Sequence, residues 1–253
     1  MGEFELIKAW FVPLARQVPN DQLLLGPGDD CAIQRVPPGQ DLVFSVDTLV
    51  EGVHFPRDYD PQYLGWRSLA VAASDLAAMG ASPVCFTLAL TLPSADVDWL
   101  SGFAEGLSRA SAAFGLTLAG GDTTRGPLTI SIQVHGTVPN NASLRRNGAL
   151  AGEWICVSGS LGEAGAALEC LGADQPTTDQ AEVLEKYHRP QPQLDLGQQL
   201  RGVASAAIDV SDGLLADLGH ILEASGVGAL VDHPADENAI AIMAERGIGV
   251  FEG

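Results

Sequence analysis

The sequence predicts an α/β protein (α+β) built from two mixed α/β domains. Two observations point to this class. Helical and strand-like hydrophobic patterns alternate along the chain, and a turn-rich stretch separates two sets of such elements. With 253 residues and 46% hydrophobic content, the chain can bury one large core or two modest ones. The composition is therefore that of a folded globular protein.

In the first half of the chain, apolar spacing predicts helices and strands in turn. Leu69, Ala72 and Leu76 lie at helical spacing and predict a helix over 63–79, whereas strict alternation predicts a strand over 129–138. The other predicted elements are a helix at 3–12, extended segments at 23–33 and 42–55, a strand at 84–92, a helix at 95–114 and an extended run at 116–119.

The turn-rich stretch 139–148 marks the predicted domain boundary, since it holds a proline, three asparagines and a glycine. We therefore predict an N-terminal domain at 1–148 and a C-terminal α/β domain at 149–253. The predicted elements of the second domain are strands at 154–157 and 206–210, helices at 162–170, 182–187 and 194–203, and a helix that opens at Asp212-Gly213.

The charge of the chain is strongly acidic, with 13 Lys and Arg against 32 Asp and Glu and a net charge of -19. Affinity for the phosphate backbone comes largely from Lys and Arg, so nucleic acid is not expected as a partner. An anionic substrate would need local neutralisation, for which metal cations are suited. The total charge alone is equally compatible with an acidic surface that only keeps the protein soluble.

A cytoplasmic location is expected from the cysteines and the N-terminus. The four cysteines are widely spaced without a Cys-x-x-Cys pair, as expected for reduced, buried thiols. The acidic start Met-Gly-Glu-Phe-Glu shows no signal peptide. No apolar run approaches the roughly 20 residues that a membrane helix needs, so no membrane association is expected.

Aspartates recur where strand-like segments end. The four segments are Gly28-Asp29-Asp30, Ser45-Val46-Asp47-Thr48, Gly121-Asp122-Thr123 and Asp209-Val210-Ser211-Asp212-Gly213. Strand ends with small neighbours are where ligand sites form in α/β proteins, because the backbone can approach the ligand there. A fifth aspartate, Asp75, lies on a helix of small apolar residues with no basic residue three or four positions away. Its carboxylate must reach solvent, an N–H group or a cation.

Convergence of Asp30, Asp47, Asp75, Asp122 and Asp209 would require counter-ions. Two carboxylates about 4 Å apart repel by roughly 4 kcal/mol at an effective dielectric near 20. Oxygen ligands without His or Cys favour hard cations, Mg²⁺ above transition metals. Magnesium held by carboxylates and completed by phosphate oxygens is a common arrangement in phosphoryl transfer.

Other interpretations of these residues stay open. Each aspartate singly fits an N-cap or a turn, and Asp212 could cap the helix that follows it. Arg145 and Arg146 suit a phosphate contact or a solvated linker pair. The glycine-rich segment 159–165 suits an anion site or close helix–strand packing, and His54 is a titratable residue near an acidic site. No Gly-x-x-x-x-Gly-Lys-Ser/Thr loop is present.

Taken in order, five motifs resemble the thiamine-monophosphate kinase family. They are Gly-Pro-Gly-Asp-Asp at 26–30, Ser-Val-Asp-Thr-Leu-Val-Glu-Gly-Val-His-Phe at 45–55, Ser-Asp-Leu-Ala-Ala-Met-Gly-Ala at 74–81, Gly-Gly-Asp-Thr-Thr-Arg-Gly at 120–126 and Ile-Asp-Val-Ser-Asp-Gly-Leu at 208–214. The family belongs to the aminoimidazole ribonucleotide synthetase-like superfamily. The resemblance implies two α/β domains and a homodimer formed through the N-terminal sheets, with the N-terminal domain binding ATP and magnesium.

The resemblance also implies ATP-dependent phosphorylation of thiamine monophosphate to thiamine diphosphate, by direct in-line transfer assisted by several Mg²⁺ ions. No residue is expected to act as a general base, because the acceptor phosphate is already ionised. Metal ligands are implied at Asp30, Ser45, Val46 (through its backbone), Asp47, Asp75, Asp122, Asp209 and Asp212. ATP contacts are implied at Gly121, Asp122, Arg146 and Ser211, and a contact to thiamine monophosphate at His54.

The sequence departs from the family pattern in the C-terminal half. The family carries a further motif near Gly-Gly-Asp-Asp-Tyr-Glu-Leu, which this chain does not match. We therefore expect that segments near 232–237 and after 253 are missing from this chain, so that the C-terminal domain is incomplete.

Two alternatives to the kinase were weighed against the same residues. Another ATP-using enzyme of the superfamily, a ligase or a selenophosphate-forming enzyme, would keep the fold. A selenophosphate-forming enzyme would need a reactive cysteine near the N-terminus, and no cysteine precedes Cys31. A non-enzymatic acidic cation-binding protein fits the charge but not the aspartates beside Gly and Thr at strand ends. No EF-hand spacing is present either.

Overall fold

The computed structural model describes residues 3–173 and 175–231. The chain forms two compact units: Met1–Ser143 with His188–Arg201, here called the first unit, and Leu144–Tyr187 with Gly202–Gly253, the second unit. The strands are β1 (Leu23–Leu25), β2 (Ile33–Gln34), β3 (Gln40–Val50), β4 (Ser82–Leu92), β5 (Thr117–Arg125) and β6 (Thr129–Pro139). The helices are α1 (Glu3–Leu6), a π-helical turn (Ile7–Phe11), α2 (Val12–Leu14), α3 (Pro61–Ala78), α4 (Val97–Phe114), α5 (Glu163–Cys170), α6 (Thr178–His188), α7 (Leu194–Gln199) and α8 (Leu214–Ser225).

A four-stranded mixed sheet organises the first unit, with strand order β3-β6-β4-β5. Strand β6 runs antiparallel to both of its neighbours, β3 and β4, whereas β4 and β5 are parallel. The parallel pair is joined through α4, as the geometry of parallel strands requires. Strands β3 and β5 are thus the two edges of this sheet, which fixes the positions of Asp47 and Asp122.

Two long helices form the second layer of the first unit. Helix α3 packs on β3, β4 and β6, and α4 runs along α3. The two helices approach closely where glycines face each other: a Cβ added to Gly106 would lie 1.9 Å from the carbonyl oxygen of Gln62. Leu69 and Leu76 of α3 are fully buried in the resulting core, together with Ile132 of β6 at 1% exposure. This layer covers only one face of the sheet.

The opposite face of the sheet is largely open. Leu42, Phe44 and Val46 of β3 are 42%, 60% and 62% exposed there. The short β1–β2 pair covers one end of this face, where Gln34 Oε1 lies 2.7 Å from His135 Nδ1. An exposed apolar row on a sheet is unusual for a surface that only faces water.

The described part of the second unit contains helices but no strand of the kind predicted. The segments 154–157 and 206–210 are not strands, so these two predictions are wrong. A β-propensity pattern forms a strand only when a neighbour supplies ladder hydrogen bonds, and no described residue forms such a ladder with either segment. The expected missing segments near 232–237 and after 253 lie outside the described residues.

The mixed α/β fold class is confirmed. The helix and strand predictions of the first unit hold, with shifted ends: the predicted helix at 63–79 is α3, which begins two residues earlier. No helix within the described parts of the chain combines the length and apolar character needed to cross a bilayer.

Candidate active site

Strand β3 places Ser45 and Asp47 on the face of the sheet that α3 covers. Their cross-strand partners in β6 are Val134 and Ile132, which are 0% and 1% exposed. Directly paired residues of neighbouring strands project from the same face. Both polar side chains are half-buried, so they lie at the margin of the core rather than in open solvent.

A hydrogen bond joins this strand to α3. Ser45 Oγ donates to Asp75 Oδ2 over 2.5 Å, across 30 residues of sequence. The Asp75 carboxylate, for which the sequence offered no basic partner, thus meets a hydroxyl of the neighbouring element. The structure brings together two residues that were predicted as metal ligands from separate motifs, on the face of β3 that Asp47 shares.

Strand β5 holds Gly121 and Asp122 at the other edge of the sheet. Asp122 pairs with Ala89 of β4, which pairs in turn with Ser131 of β6, and this row lies on the open face. The register therefore directs Asp122 away from the face of Ser45 and Asp47. Gly121 has a structural requirement of its own: a Cβ there would lie 2.0 Å from the carbonyl oxygen of Leu88.

The remaining aspartate of the first unit that was predicted as a metal ligand, Asp30, lies in an exposed loop after β1. Its N–H donates to Asp29 Oδ1 over 2.9 Å, so Asp29 acts as a turn residue. Within 3–173 and 175–231, no three or more His, Cys, Asp or Glu side chains lie close enough to hold a metal ion together. The donors are carboxylates, a hydroxyl and carbonyls, which are oxygen ligands of the type that Mg²⁺ takes alongside phosphate. The residues present thus fit the coordination chemistry of Mg²⁺.

His54 lies in the turn that follows β3. Its Nδ1 accepts the Val50 N–H over 3.0 Å, and Glu51 and Phe55 form a bridge that closes the turn. With Nδ1 used as an acceptor, the ring proton of the neutral imidazole is on Nε2. The exposed His54 therefore presents an N–H donor, as binding to a phosphate oxygen requires.

The second unit holds the other predicted site residues on two loops. Arg146 is exposed, and the preceding residue, Arg145, accepts the Ala207 N–H through its carbonyl over 2.9 Å. Helix α8 begins after Gly213, with no side-chain cap, so Asp212 does not cap it. Asp209 is half-buried, whereas the Asp212 side chain is exposed.

Two groups of residues were missed by the sequence analysis. Asp217 is only 3% exposed and accepts the N–H groups of Ser211 and Asp212. The sequence holds one indication of this role: Asp217 follows an Asp-Gly turn and falls in the first turn of a predicted helix, where a carboxylate is favoured by the free N–H groups. The other group is an aromatic cluster in the first unit, where His188 stacks on Tyr63 with ring centroids 4.2 Å apart.

The aromatic cluster fixes the chain segment that starts at His188 to the first turn of α3. Tyr59 Oη lies 2.6 Å from His188 Nδ1, and the Arg189 guanidinium lies 5.1 Å from the centre of the Tyr63 ring. The Phe55 ring, beside His54 in sequence, lies 6.2 Å from Tyr59. The turn that holds His54 therefore packs, through Phe55, against this aromatic cluster.

Comparisons with known proteins identify the family of this chain. Residues 28–138 match the model of the AIR synthase related protein, N-terminal domain. The thiamine-monophosphate kinase of Salmonella typhimurium is 45% identical over 247 residues, which cover 96% of this chain and 75% of that protein. This chain belongs to the thiamine-monophosphate kinase family. The family predicted from the five motifs is confirmed.

Solved structures of the family share this fold. The thiamine-monophosphate kinase from Stenotrophomonas maltophilia K279a is 43% identical with a TM-score of 0.80, over 89% of this chain and 73% of that one. The structure described as AaThiL complexed with AMPPCP and TMP is 31% identical with a TM-score of 0.72, over 89% of this chain and 71% of that one. That protein therefore binds an ATP analogue and TMP.

Proposed function

We propose that this chain transfers the terminal phosphoryl group of ATP to thiamine monophosphate and forms thiamine diphosphate. Family membership supports the reaction, and the Ser45–Asp75 hydrogen bond is the observation in the chain itself that carries it. That bond joins two separate family motifs at the margin of the sheet, on the face that Asp47 shares.

The proposed metal ligands supply oxygen donors only. Bound Mg²⁺ would neutralise phosphate charge and align the reacting groups. The residues that would hold it are Asp30, Ser45, the Val46 backbone, Asp47, Asp75, Asp122, Asp209 and Asp212. Because Asp47 and Asp122 lie on opposite faces of the sheet, they would hold separate ions or separate phosphates.

The other proposed contacts belong to the two substrates. Gly121, Asp122, Arg146 and Ser211 would contact ATP, and His54 would donate its Nε2–H to the phosphate of thiamine monophosphate. An oxygen of that phosphate attacks the terminal phosphorus of ATP. The bond between the terminal phosphorus and the β,γ-bridging oxygen breaks at the same time, and ADP leaves with that oxygen. The attacking oxygen is already ionised, so the chain needs to orient it and not to remove a proton.

We test the proposed role of Asp47 with a control on the same strand. Asp41 lies six residues earlier on β3 and faces the same way, about 20 Å distant. Asp47→Asn is expected to lower kcat/KM for thiamine diphosphate formation by about a hundredfold or more, and Asp41→Asn by less than about twofold. Undiminished turnover of Asp47→Asn would remove the proposed site.

The assembly proposal rests on the open sheet face. We infer that residues 1–148 form the ATP-binding and dimerisation domain and 149–253 the C-terminal domain, in a cytoplasmic homodimer. The exposed row Leu42, Phe44 and Val46 supports a partner on this face. Sedimentation of Phe44→Asp tests it: the account expects a dimer for the wild type and a monomer for the variant. A wild-type monomer would contradict it.

A further inference from the structure

Helix α8 carries two polar side chains that reach out to two different loops. Ser225 lies at the last residue of the helix and Asp217 in its first turn. Each of them hydrogen-bonds to the backbone of a loop that holds a proposed ATP contact, Arg146 in one case and Ser211 in the other. Neither side chain is itself part of the proposed set of ligands.

The Ser225 hydroxyl holds the loop that follows Arg146 by three hydrogen bonds. It donates to the Arg146 carbonyl over 3.0 Å and accepts the N–H groups of Gly148 and Ala149 over 3.1 Å and 3.2 Å. A hydroxyl has one donor and two acceptor lone pairs, so this contact uses the full capacity of the side chain. The loop is thereby closed around a single oxygen atom.

The Asp217 carboxylate holds the other loop. Its Oδ2 accepts the Ser211 N–H over 2.9 Å and the Asp212 N–H over 3.1 Å. The residue is only 3% exposed, and a buried carboxylate is costly unless donors surround it. These two N–H groups are such donors, so the loop cannot shift without leaving the buried charge unpaired.

The helix sets the spacing of both loops. Asp217 and Ser225 are eight residues apart, about 12 Å along the axis of a helix. The two loops also contact each other directly, since the Ala207 N–H donates to the Arg145 carbonyl over 2.9 Å. A rigid helix with one anchor near each end fixes two loops more precisely than either loop would be held alone.

We propose that Ser225 and Asp217 are positioning residues for ATP, which keep Arg146 and Ser211 at the separation that the nucleotide requires. This inference rests on the proposed function, in which those two residues contact ATP. It predicts that loss of either anchor weakens the binding of nucleotide, while the binding of thiamine monophosphate stays unchanged.

The test compares nucleotide affinity among five variants. Ser225→Ala is expected to raise both the KM for ATP and the Kd of a non-hydrolysable ATP analogue, measured by calorimetry, by about tenfold. The KM for thiamine monophosphate should change by less than about twofold. Because Ser225 acts through Arg146, the double variant with Arg146→Ala should bind the analogue no more weakly than Arg146→Ala alone. Ser225→Thr keeps the hydroxyl and should restore the affinity, and Glu223→Gln on the same helix serves as the control.

Two results would overturn the inference. One is an unchanged analogue Kd in Ser225→Ala, and the other is a double variant whose loss equals the product of the two single losses. If Ser225→Ala does not fold, as judged by circular dichroism, Asp217→Ala removes the acceptor of the other loop, and an unchanged analogue Kd there overturns the proposal. A wild type that binds the analogue but does not phosphorylate thiamine monophosphate would sink the proposed function, and the analogue Kd values would still decide the role of Ser225.

Discussion

The two units of this protein hold their site residues in different ways. In the first unit, large apolar side chains of α3, α4 and the sheet are almost fully buried. In the described part of the second unit the buried apolar residues are few, and several large ones are exposed. The buried ones are Leu144, Ala167, Tyr187 and Leu218, and the exposed ones include Leu150, Trp154, Leu168, Val203, Leu215 and Leu230.

This difference shows which interactions fix the predicted site residues within each unit. In the first unit, Ser45 and Asp47 are placed by sheet register and by the packing of α3 on the sheet. In the second unit, Arg146 and Ser211 are placed by side-chain hydrogen bonds to their loops. Packing is the larger contribution to stability, whereas single hydrogen bonds contribute about 1 kcal/mol.

The largest effect is expected from removing a core leucine of the first unit. Leu69 in α3 is 0% exposed, and Leu168 in α5 of the second unit is 59% exposed. Leu69→Ala should lower the free energy of unfolding by about 3 kcal/mol, and Leu168→Ala by less than about 1 kcal/mol. Urea titration of both variants measures the difference, and equal losses would contradict the contrast between the units.

Thiol reactivity should differ between the units by about a hundredfold or more. Burial raises the pKa of Cys85 in β4 to about 11, and this residue is only 2% exposed. Cys156 of the second unit is exposed, so the expectation of a buried thiol is wrong there, although partial burial raises the pKa of this thiol as well. At pH 8, mass spectrometry after iodoacetamide treatment should show Cys156 modified long before Cys85. Comparable rates at the two positions would mean that the first unit opens readily.

Replacing a glycine by alanine should change the free energy of unfolding in opposite directions in the two units. A Cβ at Gly106 would lie 1.9 Å from the Gln62 carbonyl oxygen, whereas a Cβ at Gly165 in α5 meets nothing within 4 Å. Gly106→Ala should therefore lower the free energy of unfolding by about 1–3 kcal/mol. Gly165→Ala should stabilise its helix by roughly 0.5–1 kcal/mol. Thermal unfolding of the two variants gives the signs, and a stabilising Gly106→Ala would refute the close helix crossing.

The smallest effect concerns the pH dependence of stability. Burial lowers the pKa of His135 in β6 from its ordinary value of 6.5. As the pH falls, the imidazole of His135 is therefore protonated at a higher pH in the unfolded chain than in the folded protein. The contribution of neutral His135 to the free energy of unfolding is complete above about pH 6.5, and it is lost as the pH falls through the folded-state pKa. His135→Asn should flatten the fall in the urea midpoint between about pH 7 and 5, and an unchanged slope would contradict the role of this histidine.

Local pattern predicted the first unit well because its elements are long and periodic. The alternation at 129–138 became β6, and the helical spacing of Leu69 and Leu76 became α3. The motifs also named Ser45 and Asp75 as ligands, but not their mutual hydrogen bond, since the contact joins residues 30 positions apart. Tertiary contacts of this kind have no signature in a local window.

Other features were beyond the sequence for different physical reasons. The face on which Asp122 lies depends on a register shift between β4 and β5 near Phe86 and Thr87, and a one-residue shift moves a side chain to the other face. The segments 154–157 and 206–210 have strand composition but no described partner. Ser225 lies at the end of α8, and only the structure shows that its hydroxyl faces the loop of Arg146.

The most direct test of the account is the activity of Asp75→Asn. Thiamine diphosphate is measured with ATP and thiamine monophosphate while Mg²⁺ is titrated, for the wild type and the variant. We expect Mg²⁺-dependent product in the wild type and a loss of about a hundredfold or more in kcat/KM for Asp75→Asn, with unfolding behaviour preserved. A variant with wild-type turnover at every Mg²⁺ concentration would contradict the assignment of the Ser45–Asp75 pair to the active site.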